Sequence, residues 1–267
     1  MTRSRGLRRV RITMMKTLTG QTASAAITIE FRFFGTFAVC VDDRWCTGPP
    51  PKKGGEFLQF LGVYSRRVAT RDELAAAFWP GLDLEDVEHR IHLAASGARV
   101  FLRRHFGGID ALQCVGSGYT WSPDVKILTD ADRLIALTRR ATIENAHAAL
   151  ALYGGDFLAG ETADWLTPIR IRMASARACA LEAIVDDLMT RKQYAVALSF
   201  GLELVDAERG HESGTRSVMR CFAALGQRTR AVEQYQRLRA YLMEQIGVEP
   251  TEETQRLAAT IVDGRVA

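Results

Sequence analysis

The chain has 267 residues, 47% of them hydrophobic, and a formal net charge of +4. That length gives room for two packed domains and that composition gives each a core, as expected of a soluble globular protein. No apolar run reaches the roughly 18–20 residues of a membrane span, and the five scattered cysteines include no C-x-x-C pair, which speaks against a zinc site and against a secreted disulfide framework.

The cysteines (Cys40, Cys46, Cys114, Cys179 and Cys221) read as buried free thiols of a protein in the reducing cytoplasm. Residues 1–25 hold six basic side chains and no acid. They lack the apolar centre of a secretory signal, and fit a disordered basic tail or an upstream extension of a chain starting at Met14 or Met15; composition alone also leaves a transit peptide open. Without the tail, residues 26–125 carry eleven basic against twelve acidic residues. Bulk charge therefore does not argue for nucleic acid, and only its placement can.

From Ile27 the segment ITIEFRF alternates apolar and polar, and the alternation resumes at Phe37, Val39 and Val41, which predicts two strands. Asp42-Asp43-Arg44 reads as a hairpin turn and GPPPKKGG (48–55) as a linker. EFLQFLGVYSRR (56–67) gives a first amphipathic helix. Thr70-Arg-Asp-Glu73 is a capping box opening a second, DELAAAFW, which Pro80-Gly81 stops. VEHRIHLAASGARVFLRRHF (87–106) gives a third, ended by Gly107-Gly108, and DALQCVGSGYTWSP reads as a β-hairpin. Strands, three helices and a closing hairpin compose an α+β winged helix-turn-helix.

From about Thr129 the pattern is helical alone, over 130–153, 162–190, 193–206, 212–225, 228–246 and 251–263. A weak repeat aligns Ala195 with Ala231, 36 residues apart, each taken as the small residue of a close helix crossing. Tetratricopeptide helix pairs recur at about 34 residues, so the second half is predicted to be an all-α, tetratricopeptide-like helical repeat domain. The domains are then a tail at 1–25, a winged helix at 26–127 and a helical domain at 128–267.

On the third helix Ile91, Ala95, Ala98 and Leu102 share one stripe, predicted to pack inward. The opposite arc collects His89, Leu93, Ser96, Val100 and Arg103, flanked by Arg90, His92, Gly97, Arg99 and Arg104. In a winged helix that arc faces the major groove, where Arg, Ser and His contact base edges. His89 and His92 have no third ligand at a telling spacing, so no metal site is expected. No nucleophile elbow or P-loop is present, and neither catalytic residues nor cofactors are expected.

These pieces resemble the SARP family of bacterial transcriptional activators, in which an OmpR-type winged helix precedes a bacterial transcriptional activator domain. Lys53-Gly-Gly-Glu56-Phe-Leu-Gln-Phe-Leu61 is similar to the family's K-x-x-E-L-L-x-L-L, RRVATRDELAAAFWPG to its V-x-x-x-E-L-x-x-x-L-W, and Gly116-Ser-Gly118-Tyr119 to the G-x-G-Y of its wing. Ala149-Leu-Ala-Leu-Tyr153-Gly-Gly-Asp-Phe-Leu158, with Trp165 and Arg170 after it, resembles A-L-x-L-Y-x-G-x-F-L. Gly226-Gln-Arg-Thr-Arg-Ala231-Val-Glu-Gln-Tyr235, then Leu242 and Ile246-Gly-Val-Glu-Pro250, resembles the family's ending. The third helix departs from it, with Ala95-Ser-Gly97-Ala98-Arg99 in place of the usual L-S-R-L-R, and the glycine lowers helix propensity by about 1 kcal/mol.

The resemblance implies a cytoplasmic regulator that binds double-stranded promoter DNA and activates transcription. His89, Arg90, His92, Ser96, Arg99, Arg103 and Arg104 would face the major groove. Lys52, Lys53, Thr70 and Arg71 would meet phosphates, and Ser117 and Tyr119 of the wing would touch the adjacent minor groove or backbone. The acidic cluster Asp83, Glu85, Asp86 and Glu88, in the loop before the third helix, is open to three readings: repelling DNA, complementing the dipole of that helix, or presenting acid to a partner; the resemblance implies that the loop faces RNA polymerase. For the helical domain, dimerisation, a partner protein and polymerase all stay open. The alternative is an adaptor that has kept both folds and lost DNA readout.

Overall fold

The computed structural model describes residues 27–46, 52–108, 110–140 and 142–265; the basic tail and the start of the proline-rich linker lie outside them. Strands β1 (Ile27–Arg32), β2 (Ala38–Val41) and β3 (Arg44–Cys46) form an antiparallel meander, turned at Asp42-Asp43, both with positive φ, as a two-residue hairpin loop requires. Three helices follow: α1 (Lys52–Val63), α2 (Arg71–Phe78) and α3 (Leu84–His105). The hairpin β4 (Leu112–Val115) and β5 (Gly118–Trp121) comes next, and then β6 (Val125–Thr129). Strand β6 lies parallel to β1, giving the sheet order β3-β2-β1-β6.

Several features differ from the sequence reading. Helix α3 opens at Leu84 and not at Val87, so Glu85, Asp86 and Glu88 belong to the helix and not to the loop before it, with Asp83 at the N-cap. Helix α1 starts at Lys52, so Lys52–Gly55 belong to it and not to the linker. Strands β3 and β6 were not foreseen, because each is short and β6 takes its hydrogen bonds from a strand about a hundred residues earlier, a pairing that local periodicity cannot display. Strand β6 also runs across residues 127 and 128.

The remaining helices are α4 (Asp130–Thr138), α5 (Ile143–Ala151), α6 (Thr167–Thr190), α7 (Tyr194–Ala207), α8 (Glu212–Ala224), α9 (Arg228–Gln245) and α10 (Glu252–Val262), with a 3-10 turn at Asp164–Leu166. The single helix read over 130–153 is two, because Thr142 caps a new start through the amide of Asn145.

The helical repeat is real, but its register differs from the alignment of Ala195 with Ala231. Ala195 is exposed, and the buried partner of Ala231 is Ala197. Gln193 and Gln227 occupy the N-cap positions of α7 and α9, thirty-four residues apart, and each follows a residue with positive φ, Lys192 at 57° and Gly226 at 74°. The left-handed turn between helices thus repeats with Lys in one copy and Gly in the other.

The two halves share one core, which runs from Ile29 to Ile184. Where β1 ends, Leu158 N–H donates to Phe33 O at 2.8 Å and Gly35 N–H to Asp156 O at 3.1 Å. The Phe157 ring meets that of Phe33 at a tilt, with centroids 5.2 Å apart, and that of Phe34 edge-on at 5.6 Å. From the helical side the Arg170 guanidinium donates to the carbonyls of Phe157, Leu158 and Glu161 at 2.7–3.0 Å, while Trp165 meets Phe60 of α1 edge-on at 5.1 Å. The motif around Tyr153–Leu158 is therefore the joint between the halves. The cysteines are not uniformly buried: Cys40 and Cys221 are, and burial pushes the Cys221 thiol up to about 11, but Cys114 and Cys179 are exposed.

Asp130, 8% exposed, accepts the amides of both Phe33 (2.8 Å) and Phe34 (3.0 Å) on one carboxylate oxygen. Burial raises its pKa above 3.8, with the two amide bonds pulling the other way. A raised native pKa means that the stability from this group is complete below the unfolded value and is lost as pH rises through the folded one. Asp130→Ala should lose about 2–4 kcal/mol in urea unfolding by orphaning two buried amides, whereas Asp130→Asn keeps an acceptor and should flatten the fall of stability with rising pH in the acidic range. Lys192→Gly should gain about 1 kcal/mol by relieving a left-handed Lys, read as a higher Tm.

Candidate nucleic-acid interface

Helix α3 is held by its small residues. Ile91, Ala95, Ala98 and Leu102 are buried as the stripe predicted, and Gly54 of α1 lies so close that a methyl group there would stand 2.9 Å from Ala98 N and 3.0 Å from Gly97 C. Glycine and alanine in place of larger residues are thus two sides of one close helix crossing, which leucines would pry apart. The glycine that this crossing requires is Gly54, which approaches the backbone of Gly97 and Ala98.

The outward face of α3 carries His89, Arg90, Leu93, Ser96, Val100, Arg103 and Arg104, all exposed. Arg103 lies 3.4 Å from Asp110, a solvent-exposed pair of little energetic weight. The acidic residues of the helix sit at its start: Glu85 and Asp86 are exposed in the first turn, and Asp83 takes the N-cap position without a side-chain capping bond. Their effect there is that of charge on the helix dipole.

Three residues assigned to DNA contact are employed inside the protein. Tyr119 is 2% exposed, edge-on to Phe57, and its hydroxyl lies 2.7 Å from Nδ1 of His92, so it is a core residue and not part of the wing surface. Burial raises its pKa. His92 is exposed but carries that bond, and Arg99 donates from Nη2 to Leu112 O at 3.1 Å and stacks 5.7 Å from the Tyr119 ring. His92 and Arg99 thereby fasten the hairpin to α3. The sequence shows neither bond, because a helical wheel gives direction around the axis and not the β-hairpin that fills part of it.

The backbone of Tyr119 also bridges Ala69 in both directions, at 2.8 and 2.9 Å, tying the segment before α2 to the hairpin. Gly118 permits this, since a Cβ would lie 2.5 Å from Ala69 O. Ser117 is exposed at the hairpin turn. Thr70 and Glu73 form the expected capping box, which satisfies the Glu73 amide from within, and Arg71 reaches Glu88 of α3 at 3.3 Å. Lys52 is exposed; Lys53 pairs with Glu56 at 2.7 Å. Both line a groove with Pro80 and the Gly160–Asp164 segment.

A second cationic feature was missed. Arg66, Arg67, Arg139 and Arg172 line a groove of about 320 Å³ at the joint of the halves, with Asp132 among them. The Arg66-Arg67 pair is visible in the sequence, but Arg139 and Arg172 join it only through folding. Among the described residues no cluster of His, Cys, Asp and Glu could hold a metal ion, and no helix is long and apolar enough to cross a membrane. Arg99→Ala should lower stability by about 1–2 kcal/mol, because it releases the hairpin. Arg104→Ala should stay within about 0.5 kcal/mol, and thermal melts of the two variants compare them directly.

No curated protein matches the sequence. Among solved structures the chain is similar to that titled Mycobacterium tuberculosis EmbR in complex with low affinity phosphopeptide, with a TM-score of 0.72 and 18% identity over 89% of this chain. The match spans 65% of that protein's chain, so the likeness is one of fold. The family model of the bacterial transcriptional activator domain matches residues 128–262, the helical half from the end of β6 to the end of α10. With a winged helix joined to that half as in the SARP-type regulators, the chain belongs to the bacterial transcriptional activator domain family.

Proposed function

We propose that this protein is a sequence-specific DNA-binding regulator of transcription, of the activator type, that lays α3 in the major groove of promoter DNA. The observation that carries the reading is the charge order along α3. Beyond Glu88 the helix has no acidic residue, and its outward face offers His89, Arg90, Ser96, Arg103 and Arg104 to solvent. Arg and Ser on such a face suit base edges and phosphates, and the exposed Ser117 at the hairpin turn suits the neighbouring backbone. Lys52 and Arg71 are assigned phosphates, Arg71 while sharing its charge with Glu88. His92, Arg99 and Tyr119 act by holding the wing and the helix in one rigid unit.

The activating contact is assigned to the exposed acids Asp83, Glu85 and Asp86, which stand together before and in the first turn of α3 and present negative charge to RNA polymerase or a partner protein. The helical half offers stacked helix pairs, a surface suited to proteins, including a second copy of this chain. The shared core supports transmission between these surfaces, since a partner held by the helical domain has a fixed position relative to α3.

The test is genome-wide capture by the purified protein, followed by mobility shifts of the best fragment with wild type and with Arg90→Ala plus Arg104→Ala. Discrete sites upstream of genes, with affinity falling at least tenfold in the double variant and a smaller salt slope, are expected. Diffuse capture unchanged by the substitutions would turn the assignment to an adaptor whose function is protein binding alone.

A further inference from the structure

Two side chains on α3 stand out from the charged residues around them. Leu93 is 59% exposed and Val100 57%, more than any other large apolar residue described before α4. They are seven residues apart, so two helical turns bring them onto one line, with Ser96 close beside it. Single exposed aliphatic residues are ordinary. An apolar line bordered by His89, Arg90, Arg103 and Arg104, with no acid beyond Glu88, is matched to a particular kind of surface. That surface must be anionic at its edges and apolar along its floor. The major groove of DNA has this arrangement where thymines occur: phosphates on both walls, C5-methyl groups between them.

We infer that Leu93 and Val100 are specificity residues that read thymine methyl groups. The inference rests on the DNA-binding reading given above and deepens it. At a rise of about 1.5 Å per residue the two side chains are about 10.5 Å apart along the helix. With base pairs about 3.4 Å apart, the two thymines fall about three base pairs from each other. Neither position can distinguish its base by hydrogen bonding, so the discrimination is that of methyl burial, and Ser96 between them supplies a polar contact to a base edge.

Duplexes enriched from a random pool by the full chain provide the test. Each thymidine of the enriched site is replaced singly by deoxyuridine, which removes only the methyl group. Uracil at two positions about three base pairs apart should weaken wild-type binding about three- to fivefold each. Leu93→Ala should erase the difference between thymine and uracil at one of them and Val100→Ala at the other, with Tm unchanged because both side chains are exposed. Equal affinity for thymine and uracil throughout, or a thymine preference that survives both substitutions, overturns the inference and leaves the DNA reading standing. Failure to enrich any sequence overturns both, and RNA polymerase bound by wild type but not by Leu93→Ala would then assign this face to protein.

Discussion

The arrangement of the whole molecule depends on how two phenylalanines at the end of β1 are satisfied. Leaving the sheet, the backbone at Phe33 and Phe34 would bury unpaired amides, a cost of about 1–3 kcal/mol each. The Asp130 carboxylate accepts both. The Phe33 carbonyl is taken by Leu158, and the rings by Phe157 and Tyr153. All of these partners come from the helical half or its first residue. The core of the winged helix is continuous with that of the helical half, and the two meet around a common aromatic centre.

This seam has consequences at both ends of the molecule. Arg170 holds the Phe157–Glu161 segment by three carbonyls, and Trp165 presses on Phe60 of α1, so the first helix is gripped from the helical side. Helix α1 in turn fixes α3 through Gly54, and α3 fixes the hairpin through His92, Arg99 and Tyr119. The chain of contacts is continuous from the activator domain to α3 and the hairpin. Gly54 at the α1–α3 crossing lets the helices approach, at the expense of helix propensity in α1. Helix α3 is closely packed on its inner side, with its cations on the outward face.

Charge follows the same economy. Residues 26–125 are nearly neutral, yet the acids of α3 are confined to its first five residues and its later turns carry only cations. Opposite charges are sorted along one helix, with the acids at its start and the cations beyond.

Periodicity and punctuation in the sequence determined the winged helix, the capping box at Thr70, the buried stripe of α3 and the helical nature of the second half, because each depends on residues within a few turns of one another. The resemblance added the family, and the motif around Tyr153–Leu158 marked a segment whose purpose was hidden until it was seen against Phe33 and Phe34. Tertiary structure decided the rest. Strand β6 pairs with a partner a hundred residues away. The repeat register is set by Gln193 and Gln227 at helix caps, thirty-four residues apart, where Ala195 and Ala231 suggest 36. Tyr119 and Arg99 are bonded within the protein because a hairpin lies over one flank of α3. A helical wheel states which way a side chain points, and only the packed neighbours state whether it meets water, a base or another part of the same protein.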